Sequence, residues 1–408
     1  LKRISENFEA CNNRKNFNAK DIDITNDIEL SEEQISAVNT ALKMPISIIT
    51  GGPGAGKTTL VQRLVSIAKQ LKLIIRLCAP TGKAAKRLAE TPEIKALKPS
   101  TIHLHLAYNA VKKDKFDFMI VDEASMIDVD LLLELLSIIP EGASIVLIGD
   151  KDQLPPVASG QPFKDLIESE KIEVSRLTGN FRQDQFSKTV RAARSIITGQ
   201  LPHLTDKLDE SDFTFIECPA AQQADAILQY YFDLMPSILD VEPQDIQILA
   251  PQRTGGVGIL RLNELIQERV INKTQKSLFT KQDRNLDVEF YAGDKVINRK
   301  NNYRKSVMNG DQGTILRSAN SNLVVEFEGI ENGVREVEFD GLEKFQLDLA
   351  YATTVHSSQG SEYPGVIIPV TSAHSHMLSR NLLYTAITRG KRHVCIVGER
   401  RTFEIAIK

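Results

Sequence analysis

The chain has 408 residues, and at roughly 150 residues per domain this length predicts two or three domains. Apolar residues make up 42% of it and charged residues 25%, which excludes a disordered chain, and the net charge of -3 does not by itself indicate a nucleic-acid binder. No apolar run approaches the roughly 20 residues that cross a bilayer, and the first residues contain no apolar signal-peptide core, so we expect a cytoplasmic protein with no membrane partner.

Residues 1–29 are polar and Asn-rich, and we interpret them as an N-terminal linker or remnant. From residue 30 to residue 175, short apolar runs alternate with helical patterns; the runs are ISIIT (46–50), LIIRLC (73–78), FMIVD (118–122) and SIVLIG (144–149). Strands that are apolar on both faces predict a parallel sheet covered by helices. Residues 30–175 therefore form the first predicted α/β domain.

A second alternating series covers residues 176–289 and 346–408. It contains FTFIE (213–217), a helical stretch (221–235), IQILA (246–250), VIIPV (366–370) and HVCIVG (393–398). Between its two parts, residues 290–345 hold β runs separated by Asn-Gly turns at 309–310 and 332–333, which is hairpin chemistry. We therefore predict a small β-barrel inserted into a second α/β domain.

The cysteines are scattered, and three of them lie in or beside apolar runs: Cys11, Cys78, Cys218 and Cys395. This distribution predicts reduced core residues and no disulfide or zinc framework. Two histidine pairs, His103/His105 and His374/His376, have no third and fourth ligand nearby in the sequence, so we assign them no metal.

The strand ISIIT runs directly into a glycine-rich loop, residues 51–58, that matches GxxxxGK[ST] and precedes a helical segment. Glycines let backbone N–H groups surround phosphates, and the helix N-terminus adds positive potential. Lys57 would reach the β- and γ-phosphate oxygens, and Thr58 would ligate Mg²⁺. The motif predicts an ATP site whose binding residues are Gly52, Pro53, Gly54, Ala55, Gly56, Lys57, Thr58 and Thr59.

Two carboxylates, Asp122 and Glu123, follow the strand FMIVD. Adjacent charges at the end of a buried strand are costly unless they hold a cation. We expect Asp122 to position Mg²⁺ and Glu123 to orient or deprotonate the attacking water. Gln153, after the next strand, would sense the γ-phosphate.

Further short motifs follow in a fixed order: Gln34 ahead of the loop, then APTGKAAKRL (79–88), STIH (100–103), DEAS (122–125), GDKDQLPPV (149–157), LTGNFRQ (177–183), YATTVHSSQGSE (351–362) and LLYTAITRGK (382–391). In this order the motifs resemble the superfamily 1 helicases, and within them the RecD-like group. The segment NNYRKSVMNGDQGTI (301–315) is similar to bacterial RecD-like enzymes that carry a Src-homology-type barrel. The resemblance covers roughly residues 30–400 and implies two RecA-like P-loop domains.

The resemblance also implies roles for individual residues. Gln34 would read the adenine edge, and Gly360 and Glu362 would bind the nucleotide, Glu362 through the ribose hydroxyls. Arg182 and Arg389 would reach the γ-phosphate as catalytic arginine fingers from the second domain. Contacts to the phosphates of a nucleic acid would come from Thr81, Lys83, Thr101, His103, Thr354 and His356.

The activity that the resemblance implies is ATP hydrolysis coupled to 5′ to 3′ movement on single-stranded DNA, or on a duplex with a 5′ tail, in repair or recombination. The segment between Thr101 and Asp122 is shorter than in the family, so we expect only a short pin insertion at about 104–117. Strand separation should then be weaker than translocation. The large N-terminal domain of longer members has no counterpart here, so no protein partner is assigned.

Three other interpretations stay open to different degrees. The chain could be the motor module of a conjugative relaxase or nuclease complex, although no relaxase or nuclease motif is found in its sequence. A non-catalytic nucleic-acid clamp is disfavoured because the full set of ATP-site residues is present. An RNA substrate is not excluded, since the choice depends on contacts to the 2′-OH that residue identities do not show.

Overall fold

A computed structural model describes residues 30–112, 114–179, 187–208, 211–272, 274–283, 286–328 and 333–408. The chain forms two compact units, Leu1–Gln185 (unit 1) and Phe186–Lys408 (unit 2). The domain boundary predicted after residue 175 falls inside a strand, Glu173–Leu177, that pairs within the sheet of unit 1. The boundary therefore lies further along the chain than predicted.

Unit 1 is built on a six-stranded sheet. Its strands are β1 (Ile46–Gly51), β2 (Ile75–Ala79), β3 (Ser100–Thr101), β4 (Phe118–Val121), β5 (Ser144–Gly149) and β6 (Glu173–Leu177). Its helices are α1 (Glu32–Lys43), α2 (Lys57–Gln70), α3 (Gly82–Leu88), α4 (Pro92–Lys95), α5 (Ile102–Lys112), α6 (Val129–Ser137) and α7 (Pro162–Glu168). The strand order is β3-β2-β4-β5-β1-β6, and every pairing is parallel, as predicted.

Both faces of this sheet are covered by helices. Alternate residues of one strand belong to different cores: Phe118 and Ile120 pack with α1, α2 and α3, whereas Met119 and Val121 pack with α5, α6 and α7. Successive side chains of a strand point to opposite faces, so a sheet covered on both sides needs apolar residues at every position. This explains why the β1, β4 and β5 segments are mostly apolar and are buried at every position.

The short pin insertion predicted at about 104–117 is replaced by a helix. Residues 102–112 form α5, and the described part of the segment from 104 to 117 contains no strand. Ile102 is buried against the sheet, and the His105 ring makes an edge contact with Phe116 at 5.8 Å between centroids. Helix α5 packs on the same face of the sheet as Met119 and Val121. A helix thus stands where a pin was predicted, and the prediction is wrong for the described residues.

Unit 2 contains a parallel sheet and an antiparallel sheet. Its strands are β7 (Phe213–Glu217), β8 (Ile246–Ala250), β9 (Phe279–Asp283), β10 (Leu286–Phe290), β11 (Lys295–Asn298), β12 (Gln312–Ala319), β13 (Asn322–Glu328), β14 (Val334–Phe339), β15 (Leu347–Leu349), β16 (Ala352–Thr354), β17 (Tyr363–Val370) and β18 (Gly390–Gly398). Its helices are α8 (Lys188–Ile197), α9 (Gln223–Gln229), α10 (Met235–Leu239), α11 (Ile259–Val270), α12 (Arg380–Ile387) and α13 (Arg400–Ile407).

The parallel sheet has the order β16-β8-β17-β18-β7, as expected for a second α/β domain. The inserted part forms a five-stranded antiparallel sheet, β14-β13-β12-β11-β15, preceded by the hairpin β9-β10. This sheet spans residues 295–349 and so continues past the predicted end at 345. Only Ala350 and Tyr351 separate it from β16, and the buried amide of Gln247 donates to both of their carbonyl oxygens at 3.1 Å.

One hairpin turn of the inserted sheet was not predicted. Asn320 and Ser321 connect β12 to β13 and have φ values of 50° and 66°. Two successive positive φ angles are typical of the type I′ turn, whose twist matches that of the flanking strands. Of the two predicted turns, Asn309-Gly310 lies in the loop before β12, and Asn332 lies outside the described residues.

Candidate nucleotide and nucleic-acid sites

Three predicted segments of the ATP site meet at one edge of the sheet in unit 1. They follow β1, β4 and β5, which are parallel and aligned, with Thr50 opposite Gly149 and Val121 opposite Leu147. Carboxyl ends of parallel strands lie on the same side, where ligands bind in open α/β sheets. The backbone N–H of Lys151 donates to the hydroxyl of Thr50 at 3.4 Å, which links two of the segments.

The glycine-rich loop holds its lysine close to the backbone. Gly54 and Gly56 have φ values of 75° and 77°, a region that residues with a Cβ atom rarely adopt. Helix α2 starts at Lys57, so its unpaired N–H groups open toward the loop. Lys57 Nζ donates to the carbonyl oxygens of Gly51 (2.5 Å) and Gly52 (2.9 Å). Amides, a helix N-terminus and a cation thus converge in an arrangement suited to phosphate.

Asp122 and Glu123 follow β4 in an unusual backbone conformation. Glu123 has φ 52° and ψ 36°, in the left-handed region, and begins a 3₁₀ turn over Ala124–Met126. Such a conformation costs of order 1 kcal/mol or more and is often found at functional sites. Burial, followed by the charge of Glu123, raises the pKa of Asp122 to about 6. The ionised form of Asp122 is unfavourable in this position, and a bound cation would stabilise it.

Mg²⁺ is the cation that the ATP motif implies, and the residues present fit it. The predicted ligands, Thr58 and Asp122, offer oxygen atoms, and Mg²⁺ is commonly held by one or two protein oxygens together with phosphates and water. Within the described residues, no group of three or more His, Cys, Asp or Glu side chains is arranged to hold a metal ion.

Two further predicted residues of unit 1 have partners that affect their proposed roles. Gln153 is buried, and its backbone N–H donates to the carbonyl of Asp150 at 3.3 Å in the turn after β5. Gln34 forms a capping box at the start of α1: its Oε1 accepts from the Ser31 N–H at 3.0 Å, and its own N–H donates to Ser31 Oγ at 3.3 Å. Because the amide oxygen has two lone pairs, Gln34 can accept a second hydrogen bond from adenine while this box is kept.

The unit 1 residues predicted to contact nucleic acid lie at helix starts. Thr81 caps α3, where its hydroxyl accepts from the Ala84 N–H at 3.2 Å, and Lys83 lies in the first turn of that helix. Thr101 is buried and accepts from the Leu104 N–H at 3.1 Å. His103 is exposed on α5. A hydroxyl that accepts in this way still has an O–H to donate, so capping is compatible with a phosphate contact.

In unit 2, Arg389 points into the protein. It is 4% exposed, and its guanidinium donates to the Thr385 carbonyl (3.1 Å), the Ser361 carbonyl (3.2 Å) and the Thr388 hydroxyl (3.2 Å). The second predicted finger, Arg182, lies outside the described residues. The finger role of both arginines stays a prediction. For Arg389 it requires that the guanidinium give up some of these hydrogen bonds and donate to the γ-phosphate instead.

The nucleotide-related residues of unit 2 lie beside Arg389. Gly360 has φ 74° and precedes Ser361, one of the partners of Arg389. Glu362 is mostly buried, and its carboxylate lies 3.8 Å from Lys391 Nζ. The structure therefore brings Gly360, Glu362 and Arg389 together ahead of β17 and β18.

The predicted strand-binding residues of unit 2 form a turn, residues 354–358, at the carboxyl end of β16. The Thr354 hydroxyl accepts from the Ser357 N–H at 3.0 Å and lies 2.7 Å from the Ser357 hydroxyl. Burial lowers the pKa of His356, so this side chain is neutral at pH 7. Ser357 itself was not predicted, although it lies within the motif YATTVHSSQGSE, three residues after a threonine, whose hydroxyl commonly accepts from a backbone N–H at that distance.

Three known domain families match the chain in order: an AAA domain over residues 29–217, the SH3 domain of ATP-dependent RecD-like DNA helicases over residues 262–327, and a UvrD-like helicase C-terminal domain over residues 349–397. The ATP-dependent RecD2 DNA helicase of Deinococcus radiodurans is 35% identical over 384 residues, or 92% of this chain and 50% of that protein. The RecBCD enzyme subunit RecD of Mycobacterium tuberculosis is 30% identical over 417 residues, or 92% of this chain and 70% of that subunit. The chain belongs to the RecD-like helicase family.

The membership confirms the family predicted from the motifs, and this RecD-like chain spans about half the length of the Deinococcus relative. Solved structures agree on the fold. Pif1 helicase from Bacteroides, in complex with ADP-AlF3 and ssDNA, matches with a TM-score of 0.60 at 20% identity, covering 94% of this chain and 95% of that one. Pif1 helicase from Candida albicans matches with a TM-score of 0.57 at 18% identity, covering 93% and 97%. Two parallel-sheet domains of RecA type are thereby confirmed.

No helix in the described ranges is both long enough and apolar enough to cross a membrane.

Proposed function

We propose that this RecD-like chain is an ATP-driven DNA motor that moves along single-stranded DNA and acts as a helicase. The observation that supports it most is the meeting of the glycine-rich loop, Asp122–Glu123 and Gln153 at one sheet edge in a chain of this family. A P-loop together with two carboxylates placed like Asp122 and Glu123 is typical of enzymes that hydrolyse ATP. The printed name of the Deinococcus relative supplies DNA as the substrate. A place in repair or recombination and a cytoplasmic location are part of the same proposal.

The residues of unit 1 divide the chemistry among them. Lys57 would leave the carbonyl oxygens of Gly51 and Gly52 for the β- and γ-phosphate oxygens, where its charge stabilises the transferring group. Thr58 and Asp122 would hold Mg²⁺, which neutralises phosphate charge when it is bound. Glu123, fixed by its left-handed backbone, would orient or deprotonate the attacking water, and Gln153 would respond to the γ-phosphate.

The nucleic acid would be held mainly through its phosphates. Thr81, Lys83, Thr101 and His103 in unit 1 and Thr354 and His356 in unit 2 offer hydroxyl, ammonium and imidazole groups, which position a strand without reading its sequence. A Pif1 relative in fold has been solved in complex with ssDNA. We propose single-stranded DNA, or a duplex with a 5′ tail, as the substrate and 5′ to 3′ as the direction of movement.

A second candidate role is favoured by the name of one relative. The M. tuberculosis protein is a subunit of the RecBCD enzyme. This chain could likewise be the motor part of a larger complex, in which another protein performs the distinctive chemistry. Copurification with a nuclease subunit would distinguish this role from an independent helicase.

ATP hydrolysis measured with four additions tests the proposal: single-stranded DNA, single-stranded RNA, duplex DNA or no nucleic acid, each with Mg²⁺ and with EDTA. We expect Mg²⁺-dependent turnover that single-stranded DNA stimulates selectively. Equal stimulation by single-stranded RNA would show that the substrate is single-stranded nucleic acid in general and not DNA alone. Turnover that no nucleic acid changes would overturn the motor function.

Direction is tested by displacing a protein block from either end of a single-stranded oligonucleotide. Movement from 5′ to 3′ removes a block at the 3′ end faster than a block at the 5′ end. Since a helix occupies the place of the predicted pin, we expect translocation to be robust and unwinding of a long duplex to be weak. Faster removal from the 5′ end would refute the direction. Efficient unwinding of a long duplex from a 5′ tail would refute the inference that the missing pin weakens strand separation.

A further inference from the structure

Three segments of unit 2 meet at Asp348, on the last strand of the inserted sheet. Asp348 Oδ1 accepts from Lys281 Nζ of strand β9 at 2.6 Å, and Oδ2 accepts from Arg299 Nε, just after β11, at 2.8 Å. Burial raises the pKa of Asp348, but the hydrogen bonds from Lys281 and Arg299 outweigh it, and the pKa falls below its usual range. The carboxylate therefore stays ionised between two cations.

Arg299 also reaches the turn at residues 354–358. Its Nη1 donates to Ser357 Oγ at 3.1 Å, and that oxygen lies 2.7 Å from Thr354 Oγ1. A continuous set of polar contacts thus joins the inserted sheet to the turn that supplies Thr354 and His356. We call the set Lys281, Asp348, Arg299, Ser357 and Thr354 the Asp348 network.

The chemistry of this network needs an arginine. A guanidinium is planar and donates in two fixed directions, so Arg299 can bind the carboxylate through Nε and the serine through Nη1 together. A lysine ammonium has the same charge and three donors but no planar fork, so it would not fix the carboxylate and the serine in the two directions that the guanidinium sets. The contacts therefore fix geometry in addition to charge.

We propose that Arg299 and Asp348 are positioning residues, which hold the 354–358 turn in the shape that binds a DNA phosphate. This makes the inserted antiparallel sheet part of the nucleic-acid site even where it does not touch the strand. The proposal rests on the proposed function, because it assumes that the 354–358 turn binds single-stranded DNA.

A direct contact between Arg299 and a phosphate is the competing explanation, and charge distinguishes the two. Asp348→Asn removes a negative charge near the site. If electrostatic attraction alone mattered, this change would tighten binding to a polyanion. If Asp348 positions Arg299, the change weakens binding instead. Likewise, Arg299→Lys keeps the charge and so preserves a direct contact, but it breaks the positioning.

The experiment measures the affinity for a fluorescein-labelled oligothymidylate by anisotropy, at several salt concentrations, together with ATP turnover with and without DNA. Arg299→Ala, Arg299→Lys and Asp348→Asn should each weaken binding about tenfold, the loss expected for one charge-assisted hydrogen bond. Turnover without DNA should stay within about twofold of wild type, and Arg299→Lys and Asp348→Asn should keep the salt dependence of wild type. The double variant Arg299→Ala/Ser357→Ala should bind no more weakly than Arg299→Ala alone.

Arg317→Ala is the matched control, because Arg317 forms an exposed ion pair with Glu336 on the same sheet, at 2.6 Å, outside the network. It should bind DNA like the wild type. Tighter binding by Asp348→Asn together with unchanged binding by Arg299→Lys would refute positioning in favour of direct contact. Loss of DNA-free turnover and a lower melting temperature in all three network variants would show a merely structural role. Failure of the wild type itself to bind the oligonucleotide would instead refute the proposed function.

Discussion

Replacing Arg389 by alanine separates two roles that this residue is expected to have. Its guanidinium uses at least three of its five N–H donors within unit 2, at distances of 3.1 to 3.2 Å, and its side chain is 4% exposed. A hydrogen bond from a charged group contributes about 1.5–3 kcal/mol, and breaking a buried ionic arrangement costs about 3–5 kcal/mol. Since the three bonds are rather long and their partners neutral, we expect Arg389→Ala to lower the free energy of unfolding by about 3 kcal/mol.

The catalytic role predicts a separate effect on rate. An arginine finger accelerates phosphoryl transfer by about 10³ to 10⁵, so a loss of at least about a hundredfold in ATP turnover is a cautious expectation. Arg389→Lys keeps the charge without the fork, and we expect it to recover part of the stability but little of the turnover. Nucleotide affinity should change less than turnover in both variants.

Urea-induced unfolding followed by circular dichroism, nucleotide binding and steady-state hydrolysis together test this reasoning. Arg400→Ala is the control, because Arg400 forms an exposed i,i+4 pair with Glu404 at 3.0 Å in the same unit and should contribute less than about 1 kcal/mol. Unchanged stability of Arg389→Ala would show that the buried hydrogen bonds are not formed. Turnover within tenfold of wild type would rule out the finger, and a parallel collapse of affinity and rate would indicate ground-state binding.

Three more predictions concern the two units separately. Lys57→Ala and Glu123→Gln should each reduce Mg²⁺-dependent ATP turnover by at least about a hundredfold while leaving the circular dichroism spectrum unchanged, and turnover within tenfold of wild type in both would overturn the site assignment. Gly56→Ala should lower the free energy of unfolding by about 1–2 kcal/mol, because φ is 77°, and should abolish nucleotide binding. Its control is Gly293→Ala, where φ is 94° and the added methyl meets no atom within 4 Å. This variant should lose similar stability and keep nucleotide binding. His393 is buried, which lowers its pKa to about 4, so the folded state excludes a proton that the unfolded state binds below its pKa of 6.5. Stability from this group is thus complete above pH 6.5 and is lost as the pH falls toward 4; between pH 7.5 and 5 the wild type should lose about 2 kcal/mol more than His393→Gln, and equal losses in urea titrations would contradict the burial argument.

Much of the fold could be predicted because local and global signals agree. Strands β1, β5, β7 and β8 were placed to within one residue, since their segments are apolar, β-branched and bounded by turn or loop residues. The replacement of the pin by α5 was missed, although Ile102, His105 and Leu106 repeat at helical spacing on the buried face. The expectation of a pin came from the family resemblance, whereas the periodicity of residues 102–106 favours a helix.

The site could be predicted by residue identity but not by contact. The motifs indicated Lys57, Asp122 and Glu123, because they follow parallel strands whose carboxyl ends lie at the same edge of the sheet. They did not indicate that Arg389 points inward, because that depends on its side-chain rotamer. The Gln34 cap, in contrast, could have been predicted from Ser31 three residues earlier, which is the capping-box spacing. Asp348 was not predicted at all: its pairing with Arg299 follows from the register of β11 against β15, about fifty residues apart in the sequence.

The insertion separates, in the order of synthesis, strands of unit 2 that are neighbours in the folded sheet. Strand β8 is buried along its whole length, and its two neighbours, β16 and β17, both come after the insertion. Ala250 therefore leaves the ribosome about 100 residues before Thr354, its partner in the parallel ladder with β16. At about 5 to 20 residues per second, β8 spends roughly 5 to 20 s without a strand partner. During this interval its apolar edge is open to pairing with other chains, so slow translation or a slowly folding insertion should favour aggregation of unit 2 before that of unit 1.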